Sequence, residues 1–350
     1  MSIGVSLVPK GRNYTRAVIV RAMGSPSLEA AQEFAAARWG HAMSVDIAKA
    51  AVASVQAGEI TGAEGTVTEF FESVRAQTVY GRLAGLRKVP FNVQMLSNSG
   101  GVRGFWVGEA RPIPLSRTIF SDRSRLTQAK VAAIIVVSQE CLAHGGVQAE
   151  AVFENELKKG VAASWDEAFI DPANAGETSA GVVVRPSSVT HGAATVVATA
   201  DPVADIAKLI NAFNGNLGAA YFVTDPKTAA ELGLYRTGGA LAFPDVGPRG
   251  GAIVGVPVLT TESSPRGPAG SNIAIIDPTG IAAADVTLDI TKAEHAAVLM
   301  SDDPAAGPAE LVSLFQNDAI ALKSAIYTNW KVERAGSVAV LTGAAYGPGN

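Results

Sequence analysis

The sequence predicts an α+β fold: one long helix with short strands around it, an extended N-terminal arm and an α/β segment inserted late in the chain. Phe153, Leu157, Val161, Trp165 and Phe169 recur every four residues, which places them on one stripe of a helix of about five turns over residues 150–169. Residues 130–138 before it form a short apolar run of strand length. After Asp201, helical and strand-like patterns alternate between Gly/Pro turns.

Residues 1–27 alternate weakly and carry Pro9, Gly11, Gly24 and Pro26, so an extended arm is expected. Ser27 caps a helical run in which Leu28, Ala31, Phe34, Ala35 and Trp39 share a face, with Glu29 in the first turn. Residues 45–56 continue in the same style. This part, 1–65, is alanine-rich and short of large side chains, so it is expected to pack on something else. A second short helix is expected over 67–83, from Phe70, Phe71, Val74 and Val79, and a strand over 86–91. Residues 92–130 then make a glycine-rich, two-stranded excursion, with strands at 102–107 and 117–120. It has few core-sized side chains and is longer than a compact domain's loops. Its expected place is on another subunit.

The long helix stops at Asp171-Pro172, because proline cannot continue the hydrogen-bond ladder. Its second face carries Glu154, Lys158, Lys159, Asp166 and Glu167 and reads as solvated. Residues 174–178 read as a loop, 181–184 and 195–197 as short strands. Residues 201–214 form a helix with Val203, Ile206, Leu209, Ile210 and Phe213 on one face; 219–223 is a buried strand; Asp225-Pro226 opens a helix through Leu232. Strands follow at 240–243, 253–254, 258–259 and 273–276, so 201–289 reads as an inserted α/β domain. Residues 310–332 return to strand alternation, and 338–341 is a last strand.

Charged residues make up 17% of the chain and hydrophobic ones 48%, with 36 glycines and 18 prolines. That much apolar surface served by few charges, in a loop-rich chain, points to surfaces covered by partners. The net charge of −4 argues against an overall electrostatic nucleic-acid binder. Cys141 is alone, so no internal disulfide forms, and its apolar neighbours make it a buried hydrophobe rather than a reactive thiol. No secretory signal or long apolar span is seen, and a reducing cytoplasm is the expected place of synthesis.

Catalytic and ligand constellations are missing. His41, His144, His191 and His295 are isolated, without the spacing of a metal site. Residues 250–255 miss the second glycine of a dinucleotide loop and lead into a strand rather than a helix. No phosphate-binding loop or nucleophile elbow occurs. The carboxylate pairs Asp166-Glu167 and Asp302-Asp303 read as solvation and capping. Arg123, Arg125 and Lys130 read first as a charged strand edge, with contact to a neighbour's acidic surface or to nucleic acid as the alternative. No catalytic, cofactor-binding or metal-ligating residue is expected.

The order of these elements resembles the major capsid protein of tailed phages, the Hong Kong 97 fold that encapsulin shells share. The resemblance rests on Gly108-Glu109-Ala110-Arg111-Pro112 with Thr118-Ile119-Phe120, and on Asn155-Glu156-Leu157 through Trp165-Asp166-Glu167-Ala168-Phe169-Ile170. Gly255-Val256-Pro257-Val258 and Phe315-Gln316-Asn317-Asp318 with Ala321-Leu322 complete it. It implies an N-terminal arm (1–65), an extended loop (92–130) lying over the next subunit, and a peripheral domain (66–91, 131–200 and 290–345) with the long spine helix. The inserted axial domain would be 201–289. It further implies an icosahedral shell of hexamers and pentamers enclosing double-stranded DNA, with the encapsulin-like shell around a cargo enzyme as the alternative. A portal protein would be a partner, with scaffold, maturation protease or decoration protein as optional ones, DNA contacted non-specifically and no membrane involved. The protein would reside in the virion after assembly in the bacterial host cytoplasm, with its arm retained.

Phe105, Trp106, Arg111, Phe120, Arg123 and Asp318 are the implied inter-subunit contacts, and Phe153, Leu157, Val161, Trp165 and Phe169 the spine-helix core. Some relatives weld the shell by an isopeptide bond from a loop lysine to an asparagine, assisted by a glutamate. Here Arg111 stands at the lysine, Asp318 (next to Asn317) at the asparagine and Ala325 at the glutamate. A guanidinium is a poor nucleophile and alanine is no base, so no crosslink is expected. An Arg111–Asp318 ion pair would replace it.

Overall fold

The computed structural model describes residues 16, 20, 28–39, 72, 74–98, 106, 120–138, 146–179, 181–267, 270–293, 297–299 and 311–347. The described elements begin with α1 (Leu28–Trp39), α2 (Val79–Arg82), β1 (Arg87–Lys88), β2 (Gln94–Asn98), β3 (Phe120–Arg125) and β4 (Ala129–Ser138). The long helix α3 (Gly146–Ile170) precedes β5 (Glu177–Ser179), β6 (Val182–Arg185) and β7 (Ala194–Val197). Then come α4 (Pro202–Ala212), β8 (Tyr221–Thr224), α5 (Pro226–Leu234), β9 (Arg236–Thr237), β10 (Ala240–Leu241), β11 (Val246–Gly247), β12 (Gly250–Ile253) and β13 (Val256–Thr260). The rest are β14 (Arg266–Gly267), β15 (Gly270–Ile276), β16 (Ile281–Ala293), β17 (Ala297–Leu299), β18 (Leu311–Ser313), β19 (Ala319–Val332) and β20 (Val338–Ala344).

The chain divides into two compact units. The first comprises Met1–Gln77, Val131–Ala162 and Thr287–Ile326, the second Thr78–Lys130, Ala163–Val286 and Tyr327–Asn350. In the first unit α1 buries Ala31 and Ala35. Phe34 meets Trp39 edge-on, and the Arg16 guanidinium lies 5.3 Å over the Trp39 ring. The hairpin of β17 and β18 pairs Ala297 with Ser313.

In the second unit a hydrophobic core lies on a sheet ordered β11-β12-β13-β8-β15-β20-β7, with β14 pairing β15 at the side. The pairs β8–β13 and β7–β20 are parallel; β8–β15 and β15–β20 are antiparallel. Phe222, Ile273, Ile275, Ala339 and Leu341 from the strands bury against Ile206, Leu209 and Phe213 of the α4 segment and Leu232 of α5. Both helices start as their sequences dictate. Asp201 accepts from the Val203 N–H (2.9 Å) and Asp225 from the Thr228 N–H (3.2 Å), and a proline occupies the first helical position of each. Strands β7 and β20, from outside residues 201–289, belong to this sheet. Strand β1 pairs parallel with β16, Arg87 and Lys88 standing opposite Ala282 and Ala283.

Several expectations need correction. The strand expected over 86–91 is reduced to the two residues of β1. Residues 94–98, which carry no clear alternation, form β2 and pair antiparallel with β3, so that strand extends past Phe120 to Arg125. Residues 174–178 are not all loop, since β5 begins at Glu177. The long strand β16 is a further element, in a stretch where Ala282, Ala283 and Ala284 carry no strand signal; their small side chains are buried, Ala282 and Ala284 in a cluster with Met95 and Leu126. Val254 is not strand but a turn residue at φ 51°, followed by Gly255 at φ 78°. That is the geometry of a tight hairpin turn between β12 and β13. Glycine is required at Gly251 (φ 139°), where a side chain would run into the Asp245 carbonyl. The expected element at 45–56 lies outside the described residues, as do the expected strand at 102–107 except Trp106, which is not strand, the start of the other at 117–119, and Cys141, His41, His144, His295, Asp302 and Asp303.

Candidate assembly surface

Trp165 and Phe169, one turn apart on α3, are fully buried. Tyr80 of α2 packs on Trp165 at 4.9 Å and on Phe169 at 5.7 Å between ring centroids, and Trp330 of β19 meets Phe169 edge-on at 5.1 Å. Such pairs contribute about 0.5–1.5 kcal/mol each beyond area burial. The Trp330 indole N–H donates to the Ser187 carbonyl (2.8 Å), so this aromatic group also fixes the chain that leaves the hairpin β5–β6. Val161 is buried as well, whereas the side chains of Phe153 and Leu157 lie outside the described residues.

The face read as solvated differs from expectation. Glu167 is exposed, but Asp166 and Lys158 are buried. The last turns of α3 bury Trp165, Asp166, Ala168, Phe169 and Ile170, so the end of the helix is enclosed on most sides rather than along one stripe. The Asp166 carboxylate accepts from the Val79 N–H (2.8 Å) and the Thr261 hydroxyl (2.9 Å). Burial pushes its pKa up to about 6, against the opposing pull of those hydrogen bonds and the Arg82 charge. The Arg82 guanidinium in turn donates to the Thr260 carbonyl (2.6 Å). Asp166 thus ties the end of α3, the first turn of α2 and the end of β13. Nothing local in the sequence signals this, because Val79 and Thr261 are 87 and 95 residues away.

Of the implied contact residues, Trp106 and Asp318 have described side chains. Trp106 is wholly exposed, at 105% of its reference area. Phe120 and Arg123 belong to the backbone of β3, with Arg123 opposite Leu96 across the pair; their side chains, like Phe105 and Arg111, lie outside the described residues. Asp318 is exposed in the turn between β18 and β19 with φ 46°, beside an exposed Phe315. Asn317 donates to the Ser313 carbonyl (2.9 Å), and Ala325 is buried. His191 is exposed and its Nδ1 lies 3.0 Å from the Pro172 carbonyl. Among the described residues no group of three or more His, Cys, Asp or Glu side chains is placed to hold a metal ion. No helix among them is long and apolar enough to cross a membrane.

The described residues thus combine a buried aromatic group with large apolar side chains exposed singly. The model of the phage capsid family matches residues 58–343. The capsid polyprotein of Pseudomonas phage PAJU2 is 32% identical over an alignment of 325 residues that covers 86% of this chain and 48% of that protein. The chain therefore spans about half the length of this curated relative. A solved structure from Mycobacterium phage Adephagia superposes with a TM-score of 0.52 at 14% identity, covering 76% of this chain and 90% of the other. One from Mycobacterium phage Ogopogo gives 0.51 at 16%, covering 76% and 91%. The capsid of a native GTA particle gives 0.50 at 18%, covering 75% and 89%. The fold is the α+β Hong Kong 97 type, and with a family match over most of its length the chain belongs to the phage capsid family.

Proposed function

We propose that this chain is a major capsid protein that self-assembles into the icosahedral head shell enclosing phage double-stranded DNA. Membership of the phage capsid family across residues 58–343 carries the proposal. The exposed Trp106 supports it, because a side chain of that size gains much from burial against a neighbour. In this reading residues 92–130 form the extended loop over the next subunit. Residues 66–91, 131–200 and 290–345 form the peripheral domain, 201–289 the axial domain at hexamer and pentamer centres, and 1–65 the arm. The role is structural and not enzymatic.

Assembly would take place in the bacterial host cytoplasm, with the portal protein and, where the phage encodes them, a scaffold, maturation protease or decoration protein. Packaged DNA would meet the inner face through non-specific phosphate contacts. The experiment is electron microscopy with sedimentation of the purified protein, alone and coexpressed with its scaffold. Closed particles, or hexamer and pentamer rings, are expected. A monomer or dimer that persists over a range of concentration and salt overturns the proposal.

A further inference from the structure

The turn that follows α4 carries a dipeptide found once in the sequence, Asn214-Gly215. Glycine is required at its second position. A Cβ on residue 215 would stand 2.5 Å from the Phe213 ring and 2.9 Å from the Asp277 Cβ, so the turn closes only without a side chain there. Asn214 itself is exposed, and Gly215 is half-buried. The main chain is pinned on both sides of the pair. The Asn214 N–H donates to the Gly336 carbonyl (3.0 Å), and the Asn216 N–H donates to the buried Asp277 carboxylate (2.9 Å).

Between those two bonds the groups that matter for amide chemistry are unengaged. Among the described residues neither the Asn214 side chain nor the Gly215 N–H makes a hydrogen bond. Other asparagines differ on both counts. Asn174, Asn317 and Asn329 each donate from the side-chain amide to a carbonyl, and Asn216 accepts from the Gly218 N–H. They are followed by Ala175, Asp318, Trp330 and Leu217, whose side chains shield the next backbone nitrogen. Packing against Phe213 and Asp277 thus imposes, after an exposed asparagine, the one residue that leaves that nitrogen unshielded.

We propose that Asn214 is a site of spontaneous deamidation, converted through a succinimide to aspartate and isoaspartate. The Gly215 nitrogen, its proton taken by hydroxide, attacks the Asn214 Cγ. The N–Cγ bond forms, the Cγ–Nδ2 bond breaks, and Nδ2 takes a proton from water and leaves as ammonia. Water then opens the ring. Cleavage at Cγ leaves aspartate in an unaltered main chain, and cleavage at the backbone carbonyl routes the chain through Cβ and Cγ as isoaspartate. Water is the sole co-reactant, and nothing is oxidised or reduced. Either product carries a new carboxylate. Isoaspartate also adds a methylene to the main chain between the Gly336 and Asp277 anchors, which loosens the turn at both. The reaction needs only the single subunit and goes beyond the shell reading.

Incubation of the purified protein from neutral to mildly alkaline pH, with digestion and mass spectrometry, tests this. The peptide holding residue 214 should gain about 1 Da as NH2 is exchanged for OH, at a rate that rises with hydroxide concentration, and fragmentation should find isoaspartate at that position. Asn214→Gln, which would have to close a larger ring, should lower the rate at least about tenfold. In aged protein the amides of residues 214–219 and 336–338 should exchange hydrogen at least about tenfold faster than in fresh protein. The same incubation in urea supplies the rate of the unfolded chain. If residue 214 stays intact in the native protein while the unfolded chain reacts, the fold protects the site and the proposal is overturned. Modification confined to other asparagines overturns it equally.

Discussion

The Asp166 carboxylate is buried with two hydrogen-bond donors and the Arg82 charge nearby, and desolvation dominates, raising its pKa from 3.8 to about 6. Between those values the folded state binds the proton more tightly than the unfolded chain does. The stability it contributes is therefore complete below pH about 4 and is lost as pH rises through about 6. The loss is on the order of 3 kcal/mol. Asp166→Asn keeps an acceptor for the Val79 N–H and a partner for the Thr261 hydroxyl while removing the charge. Denaturant titrations should show wild type weakening from pH about 4.5 to 7.5 relative to the variant, and parallel curves would refute the assignment. Asp205 behaves oppositely: burial would raise its pKa, but hydrogen bonds from Thr199, Tyr346 and Lys208 outweigh it and hold the group below the usual range. Tyr346→Phe removes one of them, the 3.1 Å bond from the phenol. It should cost about 1 kcal/mol at neutral pH by the same titration.

At the scale of elements, α3 is long, yet its most demanding packing is in its last turns, where Trp165 and Phe169 meet Tyr80 and Trp330. Trp165→Ala should cost about 3–5 kcal/mol, the range for emptying a large aromatic site. Calorimetry of the free subunit measures it. A loss below about 1 kcal/mol would mean that the aromatic group does not anchor the helix. The next element depends on a single side chain. Asn174 joins the end of α3 to both legs of β5–β6, and Asn174→Ala would strand three backbone groups at a buried site. A destabilisation of about 2–3 kcal/mol is expected, with faster exchange confined to residues 174–189.

For the whole molecule, few charges and many apolar residues suit a chain that shares its surface with copies of itself. Arg111 at the proposed junction cannot act as an amine nucleophile at neutral pH, and buried Ala325 supplies no base. Denaturing gels of assembled particles should show the single-chain band alone, and a covalent ladder would refute this. If Arg111 clasps the exposed Asp318 across subunits, Arg111→Ala particles should dissociate at lower denaturant concentration. Unchanged particle stability would exclude the clasp.

Sequence by itself determined what short-range order can encode. Four-residue apolar spacing marked α3, an apolar run marked β4, and Asp-Pro pairs placed the starts of α4 and α5, because capping and periodicity act within a turn or two. The family resemblance was legible too, since it resides in the order of those elements. Tertiary structure alone decided the rest. The placement of β8 between β13 and β15, and the recruitment of β7 and β20, depend on which strands meet. Ala282 and Ala283 are strand because they pair with Arg87 and Lys88 of β1, far away in the chain. Asp166 reads as a solvent-facing helix residue until Val79, Thr261 and the surrounding protein remove its water. Strand pairing and desolvation are set by residues tens to hundreds of positions apart, and a local pattern carries no record of them.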